Sequence, residues 1–349
     1  MSANHEETGP VAVAIGCDCD PDRPNFGGPT YQAERLRWDG IALGIEAFRR
    51  ERKAFADATG WWPKVTWNVR ADEQVARAHG DARYCVRTFR ALWEALRLEG
   101  DEIAWHQHLW AWDSSRGEWF QKIGDRSFIE GCFENGFRQF SAEWGSPPRT
   151  VHAGWCYQDN DTLAALAALG ITIDYSAVPG HNTLGRGTMD QADWSRAPTI
   201  PYYPSRVDYQ MAGAHSAKQL SLLEIPASVG RDCVLSIGKQ LREQIKRREF
   251  CWSGGLAYFV PLVTLHSRVC RPLFASALKR MSKPHRYILS YFHCDELLGD
   301  HAKSGLVNYL YGQRYLFQNV RWLAEHVGAR PLTFVTVAEL AQHMGYSGC

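Results

Sequence analysis

The sequence has no excess of charge of either sign. Its 39 basic and 38 acidic residues leave a formal net charge of +1, which excludes the broad basic surface typical of nucleic-acid binding. No uninterrupted apolar run approaches the roughly 20 residues needed to span a bilayer. We therefore expect neither a nucleic-acid partner nor a membrane-spanning segment.

The sequence also shows neither the pattern of a secretory leader nor the cysteine spacing of a disulfide framework. Residues 1–7 are polar and acidic, unlike the basic and then apolar start of a signal peptide. The ten cysteines follow no repeated spacing, so we expect most of them to be reduced, buried, small side chains. Together these features predict a cytoplasmic protein.

Short apolar segments alternate with amphipathic ones along most of the chain. The predicted strands are residues 11–17, 64–69, 101–105, 150–154, 171–174, 222–226, 286–292 and 333–335. The predicted helices are residues 36–58, 84–98, 127–144, a short one ended by Gly170, 236–248, 273–281, 305–326 and a last short one.

Strands that alternate with helices predict a parallel sheet. Seven strands before the last short one, with no Gly-rich dinucleotide-binding turn, favour an α/β barrel over a doubly wound sheet. We expect a single barrel domain over residues 1–349. An irregular excursion is expected at about residues 179–218, which are rich in Gly, Pro and Tyr.

Polar side chains follow most of the predicted strands, at the point where each strand ends. They are Asp18 and Asp20, Arg70 and Asp72, His106 and His108, His152, Asp174, and His293. The carboxyl ends of barrel strands share one face, which is where barrel enzymes place their catalytic groups. The shared position of these residues therefore predicts one site.

A carboxylate and two histidines form a three-ligand set for Zn²⁺ or a similar divalent ion. His106 and His108 are two residues apart and project to the same side of an extended chain, and Asp20 supplies the oxygen. A second carboxylate, Asp18, is placed to accept a proton, and His293 to donate one. This set predicts metal-assisted hydrolysis of an amide or ester, with Zn²⁺ as the expected ion.

Each of these residues also has a simpler role open to it. His106 and His108 would serve as hydrogen-bonding loop residues, and His293 as a capped histidine before two acidic residues. Arg70 would form an ordinary salt bridge, or would orient Asp18 or an anionic substrate. Four tryptophans beside these motifs are candidates for stacking on sugar rings: Trp105, Trp110, Trp112 and Trp155.

Five segments in order resemble the successive motifs of the polysaccharide deacetylase (NodB-homology) family, over residues 11 to 340. They are Asp18-Cys19-Asp20; Glu102-Ile103 with His106; Gly154 and a short helix with Leu169-Gly170-Ile171, Asp174-Tyr175-Ser176; Glu224-Ile225-Pro226; and Tyr291-Phe292-His293. The resemblance implies a deformed seven-stranded (β/α) barrel and a divalent-metal-dependent N- or O-deacetylase that acts on carbohydrate.

The resemblance also implies roles for individual residues. Asp18 corresponds to the general base, Asp20 and His106 to metal ligands, and His293 to the general acid. A backbone N–H near Trp155 corresponds to the group that holds the oxyanion.

Three features depart from the family pattern, one of which is the lack of an obvious aspartate in the fourth motif to tune His293. The usual second histidine ligand falls on Trp110, so either His108 or Asp113 replaces it, or the metal site is degraded. The usual arginine falls on His152, which leaves Arg70 as a candidate partner of Asp18. We expect six residues to face the substrate: Arg70, Asp72, Trp110, His152, Trp155 and Asp174.

The predicted function is a cytoplasmic, metal-dependent deacetylase of a sugar or sugar conjugate. A nucleotide- or lipid-linked sugar of surface-polysaccharide assembly fits that compartment. Two alternatives remain: a non-catalytic carbohydrate-binding barrel, and a hydrolase of a non-sugar amide.

Overall fold

A computed structural model describes residues 10–22, 36–184, 191–229, 287–298, 313–326 and 331–346. Strand β1 (Val11–Cys19) lies at the centre of its sheet, and all nine of its residues are buried. An apolar strand that is buried on both faces is typical of a parallel sheet covered by helices. The two aspartates at its end are therefore carried by the most enclosed element of the fold.

The strands that follow β1 are, in chain order, β2 (Thr66–Arg70), β3 (Glu102–Gln107), β4 (Trp110–Asp113), β5 (Glu118–Gln121), β6 (Thr150–Ala153), β7 (Ile173–Asp174), β8 (Leu223–Glu224), β9 (Tyr287–His293) and β10 (Leu332–Val335). Strands β4 and β5 form a separate antiparallel hairpin, which the sequence did not predict. All the others pair in parallel within one sheet.

The sheet curls until its two ends meet. Its order is β8–β7–β6–β3–β2–β1–β9, and β10 pairs with the first half of β1. Just after β8, the Ser228 N–H donates a hydrogen bond of 2.9 Å to the Leu289 carbonyl of β9. This arrangement confirms the expected deformed seven-stranded (β/α) barrel, so the carboxyl ends of the strands share one face.

The helices are α1 (Ile45–Thr59), α2 (Glu73–His79), α3 (Tyr84–Thr88), α4 (Arg90–Leu98), α5 (Arg126–Trp144), α6 (Asn160–Ala168), α7 (Gln313–His326) and α8 (Val337–His343). A wider helical turn (Gly40–Gly44) leads into α1, so helical structure begins later than the predicted residue 36. The single helix predicted over 84–98 is two helices, because Phe89 leaves helical geometry at φ −106° and ψ 21°.

Aspartate side chains cap the starts of α5 and α6. Helix α5 does not begin at the predicted residue 127. Instead the Asp125 carboxylate accepts the Phe128 N–H at 3.1 Å, and the helix starts one residue earlier. The Asp159 carboxylate caps α6.

Helices α1 and α5 cover the sheet with aromatic contacts. Phe48 of α1 packs edge-on against Trp67 of β2, with ring centroids 5.6 Å apart. Phe133 of α5 packs in the same way on Trp105 of β3, at 6.0 Å. Trp105, a candidate for sugar stacking, is therefore a fully buried core residue.

The region between β7 and β8 is irregular where the structure describes it, with isolated bridges and one short 3₁₀ turn (Ser216–Lys218). The predicted helices 236–248 and 273–281, residues 23–31 and the first part of 305–326 lie outside the described residues. The single-domain assignment stays a prediction. Among the described helices, none combines the length and apolar character needed to cross a bilayer.

Candidate active site

Two buried aspartates lie at the end of β1. In the strand register, Asp18 lies opposite Asn68 of β2 and His293 of β9. The Asn68 side-chain amide donates a hydrogen bond of 2.8 Å to Asp18 Oδ1. Asp20 follows two positions later, and neither aspartate is more than 5% exposed.

His106 and His108 at the end of β3 face Asp20. His106 Nδ1 lies 2.6 Å from the His152 carbonyl, so this nitrogen carries a proton and donates it to that oxygen. The other ring nitrogen, His106 Nε2, lies 3.6 Å from Asp20 Oδ2. His108 Nε2 lies 3.3 Å from Asp20 Oδ1 and 3.1 Å from His106 Nε2.

The two histidine nitrogens and the two Asp20 oxygens are spaced as metal ligands. Bonds of about 2.0–2.2 Å in a tetrahedral zinc site place two ligand atoms about 3.3 Å apart, close to the 3.1, 3.3 and 3.6 Å seen here. Burial and the Arg70 guanidinium lower the pKa of His108 to about 4, so its ring is neutral at pH 7. Asp20, His106 and His108 therefore fit a divalent cation, and all three are buried.

His152 of β6, rather than Arg70, is the charged partner of Asp18. His152 Nδ1 lies 2.9 Å from Asp18 Oδ1. Burial alone would raise the pKa of Asp18, but the charges of His152 and His106 outweigh it and lower the pKa to about 2. Burial would lower the pKa of His152, but the ion pair with Asp18 raises it well above its usual value. Asp18 is thus held as a carboxylate.

Arg70 contacts Asp20 instead. It is fully buried, with Nη1 3.1 Å from Asp20 Oδ1, Nε 2.7 Å from Asp72 Oδ2 and Nη2 2.9 Å from Gln74 Oε1. The other oxygen of Asp72 accepts the Val75 N–H and caps α2. Asp72 therefore fixes Arg70 beneath Asp20 and is only 1% exposed. Its contact with substrate stays a prediction.

The His108 ring lies between an indole and a glycine. Trp110 stacks on it with ring centroids 5.6 Å apart and an interplanar angle of 6°. On Gly154, an added Cβ would lie 2.2 Å from His108 Nδ1. Trp110 is 1% exposed, so it supports His108 more than it faces solvent. Asp113, the alternative ligand, lies on the β4–β5 hairpin and binds Ser115.

His293 at the end of β9 completes the cluster. Its Nε2 lies 3.9 Å from Asp18 Oδ2 and 3.8 Å from Asp20 Oδ2. The His293 side chain is 29% exposed, so it is more accessible than His106, which is 1% exposed. The Glu296 carboxylate accepts the His293 backbone N–H at 3.0 Å and thereby orders this strand end.

The turn after β6 runs beside the cluster in a strained conformation. Trp155 and Cys156 have φ values of 56° and 54°, a region that costs a non-glycine residue about 1–2 kcal/mol. Trp194 holds the turn by donating its indole N–H to the Cys156 carbonyl at 2.7 Å. Cys156 Sγ lies 3.9 Å from His152 Nε2 and 3.3 Å from the Tyr291 hydroxyl.

Asp174 is fully buried beside Glu224, its register partner on β8. Burial raises the pKa of both carboxyls, and the neighbouring Asp174 carboxylate raises the pKa of Glu224 further. Asp174 accepts the Ser176 N–H at 3.1 Å, and Ser176 Oγ accepts the Ala153 N–H at 2.7 Å. Asp174 therefore supports the end of β6, and its contact with substrate stays a prediction.

Sequence reasoning missed Asn68 and Tyr175. Both are fully buried, and the Asn68 amide bridges Asp18 and the Tyr175 hydroxyl. Asn68 carried a usable signal, because it is a polar residue at the carboxyl end of a predicted strand. Tyr175 occupies space above Gly16, whose added Cβ would lie 2.7 Å from the tyrosine oxygen.

Comparison with solved structures shows the same fold. A protein from Parabacteroides distasonis, provisionally named as a glycoside hydrolase/deacetylase, aligns with a TM-score of 0.53 and 13% identity over 97% of this chain and 71% of its own. A protein from Pseudomonas aeruginosa PAO1, provisionally named as a polysaccharide deacetylase, aligns with a TM-score of 0.50 and 13% identity over 97% and 91%. No protein-family profile and no curated protein matches the sequence. The chain thus has the polysaccharide deacetylase-type fold.

Proposed function

We propose that this protein is a metal-dependent hydrolase that removes an acetyl group from the nitrogen or oxygen of a sugar or sugar conjugate. The convergence of Asp18 and Asp20 with histidines of β3, β6 and β9 at one end of a parallel barrel carries the proposal. The deacetylase-type fold favours acetyl hydrolysis among the reactions that such a cluster can perform.

Asp20, His106 and His108 are the residues that would hold the metal, with Zn²⁺ as the expected ion. A divalent ion bound there supplies an acidified water and polarises the acetyl carbonyl. Arg70 keeps Asp20 in place, and the His152 carbonyl fixes the His106 tautomer. Such supporting contacts orient metal ligands and raise metal affinity.

Asp18 is the general base of the proposed reaction. Its Oδ1 is occupied by Asn68 and His152, whereas Oδ2 lies on the side of His293. The carboxylate accepts a proton as water oxygen bonds to the acetyl carbon. His293, the accessible histidine, donates a proton to the leaving amine or hydroxyl as the C–N or C–O bond breaks, and acetate is released.

The substrate approaches the side of the cluster that His293 opens to solvent. The half-buried Trp155, at the strained turn after β6, provides an aromatic wall and a backbone N–H beside it. A nucleotide- or lipid-linked sugar is the substrate class that we expect.

The test measures acetate release from N- and O-acetylated sugars, together with bound metal by mass spectrometry. Asp20→Asn is expected to lose metal and activity together. Asp18→Asn is expected to keep its metal but lose at least 100-fold in kcat, because a base typically contributes 10²–10⁴-fold. Asp113→Asn, on the β4–β5 hairpin, is the matched control and keeps both.

Three outcomes would contradict the proposal. Wild-type protein that binds sugars, binds no metal and shows no turnover would indicate a non-catalytic carbohydrate-binding barrel. Turnover confined to non-sugar amides would indicate a different hydrolase. Full activity in Asp20→Asn would exclude Asp20 as the metal ligand.

A further inference from the structure

The proposed general base is held by a side chain of the neighbouring strand. Asn68 of β2 lies opposite Asp18 in the strand register, and its amide donates a hydrogen bond of 2.8 Å to Asp18 Oδ1. The same oxygen lies 2.9 Å from His152 Nδ1. The other oxygen, Oδ2, is the one that approaches the accessible His293, at 3.9 Å from Nε2. Asn68 therefore binds the Asp18 oxygen that lies away from the open side of the cluster.

Two acceptors fix the orientation of the Asn68 amide. A carboxylate only accepts hydrogen bonds, so the amide atom next to Asp18 is the nitrogen Nδ2. The second N–H of the same group donates to the Tyr175 hydroxyl. Because both hydrogens of Nδ2 are engaged, rotation of the amide would break two hydrogen bonds at once.

Tyr175, which follows β7, reaches Asn68 because Gly16 has no side chain. Gly16 precedes Asp18 by two positions and therefore shares its face of β1. An added Cβ on Gly16 would lie 2.7 Å from the tyrosine oxygen and 2.9 Å from Cε2. The Tyr175 ring is fully buried and packs against the His152 ring, with centroids 4.6 Å apart. Tyr175 is thus a firmly placed acceptor for the Asn68 amide.

An asparagine inside β2 is not explained by stability. Asn68 is fully buried, and among the described residues its amide oxygen Oδ1 has no hydrogen-bond partner. A buried polar atom without a partner destabilises the folded protein, and an apolar side chain of similar size avoids that cost. The hydrogen bond to Asp18 is the contact that requires an amide at this position.

We propose that Asn68 and Tyr175 are positioning residues, which together hold the Asp18 carboxylate so that Oδ2 faces the reacting water. The inference rests on the proposed function in one respect, namely that Asp18 is the general base. Without the amide, the carboxylate can turn about its Cβ–Cγ bond, a torsion with a broad energy minimum. A base that turns away from the water slows the chemical step and leaves metal and substrate binding in place.

Two substitutions test the pair. Asn68→Leu removes the donor at similar volume, and Tyr175→Phe removes only the hydroxyl. Acetate release gives kcat and KM, mass spectrometry gives bound metal, and urea unfolding gives stability. Asn68→Leu is expected to lose about 10–100-fold in kcat, as is usual when an orienting contact is removed. Its KM should stay within about twofold, because the contact acts on the chemical step. Tyr175→Phe should lose less, since Asn68 still binds Asp18.

Thr66→Val is the matched control for a buried hydrogen bond in the same strand. Thr66 lies two positions before Asn68, and its hydroxyl donates to Glu102 and accepts the Val337 N–H, both at 2.9 Å. Thr66→Val should lower the stability and leave kcat unchanged. Asn68→Leu should show the opposite pattern, with reduced kcat and bound metal and stability close to those of wild type.

A double variant tests whether Asn68 acts through Asp18. If it does, adding Asn68→Leu to Asp18→Asn leaves kcat at the value of Asp18→Asn alone. A further loss in the double variant would overturn the inference, and so would loss of metal in Asn68→Leu. If Asn68→Leu does not fold, Tyr175→Phe decides, and an unchanged kcat in that variant also overturns the inference.

The outcomes separate this inference from the proposed function. Wild-type protein that releases acetate, with an unchanged kcat in both single variants, overturns the positioning roles and leaves the deacetylase standing. Metal-loaded wild-type protein that releases no acetate contradicts the deacetylase, and the positioning roles are overturned with it.

Discussion

Gly154 determines where the His108 ring can lie. The Cγ, Nδ1 and Cδ2 atoms of His108 all approach within 2.5 Å of the position that a Cβ on residue 154 would occupy. Contacts this short do not persist, so any side chain at residue 154 pushes the ring aside. The backbone at Gly154 thus acts on the proposed metal site without contributing a ligand.

Gly154→Ala is accordingly expected to weaken metal binding by about 10–100-fold, which is typical when a group that orients a ligand is lost. Competition with a chromophoric chelator measures the affinity. Gly131→Ala, with open space around its added methyl group, is the control and should bind as wild type does. Unchanged affinity in Gly154→Ala would show that His108 is not a ligand.

Glu224 makes stability depend on pH. Burial and the neighbouring Asp174 raise the pKa of Glu224 well above its ordinary value of 4.5. The folded protein therefore retains a proton that the unfolded chain loses as pH rises, so the free energy of unfolding falls with pH above that value. Gln at this position cannot ionise and keeps an oxygen for the Ala177 N–H, which Glu224 binds at 2.9 Å.

Glu224→Gln should therefore gain stability relative to wild type as pH rises from about 5 to about 8. Urea unfolding at several pH values measures the difference. Glu130→Gln, an exposed carboxyl on α5, provides a control in which the difference should stay flat. A difference for Glu224→Gln that does not change with pH would contradict this account.

Arg52 joins helix α1 to the sheet through a buried ion pair. Its side chain is fully buried, and Nη1 lies 2.7 Å from Asp101 Oδ1. Asp101 in turn accepts the Val65 N–H at 3.0 Å and the Trp67 indole N–H at 2.9 Å. Removing the guanidinium leaves a buried carboxylate without its positive partner.

Arg52→Met should lower the free energy of unfolding by about 3–5 kcal/mol, the usual cost of breaking a buried ion pair. Denaturant titration measures the loss. Lys53→Met, on the exposed face of the same helix, should change stability by less than about 0.5 kcal/mol. Equal effects of the two substitutions would exclude a special role for Arg52.

Elements whose pattern is set by burial were predicted well from the sequence. The predicted strands at residues 11–17 and 171–174 fall on β1 and β7, which are both buried, because a strand covered on both faces is mostly apolar. The β4–β5 hairpin was missed, since Trp110 and Trp112 gave no simple alternation. The break at Phe89 depends on packing and leaves no local signal.

The candidate active site was also predictable only in part from the sequence. The topology brings strand ends together, so the grouping of Asp20 with His106 and His108 followed from the order of strands. The partner of Asp18 did not follow, because the choice between Arg70 and His152 depends on strand register and ring orientation. Those are set by contacts between residues far apart in the sequence.

Closure of the barrel depends on Ser228. Its N–H donates to the Leu289 carbonyl, and its Oγ accepts the Leu289 N–H, both at 2.9 Å. Ser228 thus takes the place of a paired strand residue between the end of β8 and β9. Since β9 carries His293, this closure also holds the proposed general acid in position.

Ser228→Ala should cost about 1–3 kcal/mol, because the buried Leu289 N–H loses its acceptor. Hydrogen exchange at the Leu289 amide should accelerate, and urea unfolding should measure the loss. Ser228→Thr keeps a hydroxyl at the same atom and should retain most of the protection. If Ser228→Ala exchanged as slowly as wild type at Leu289, the two ends of the sheet would have to be joined by other contacts.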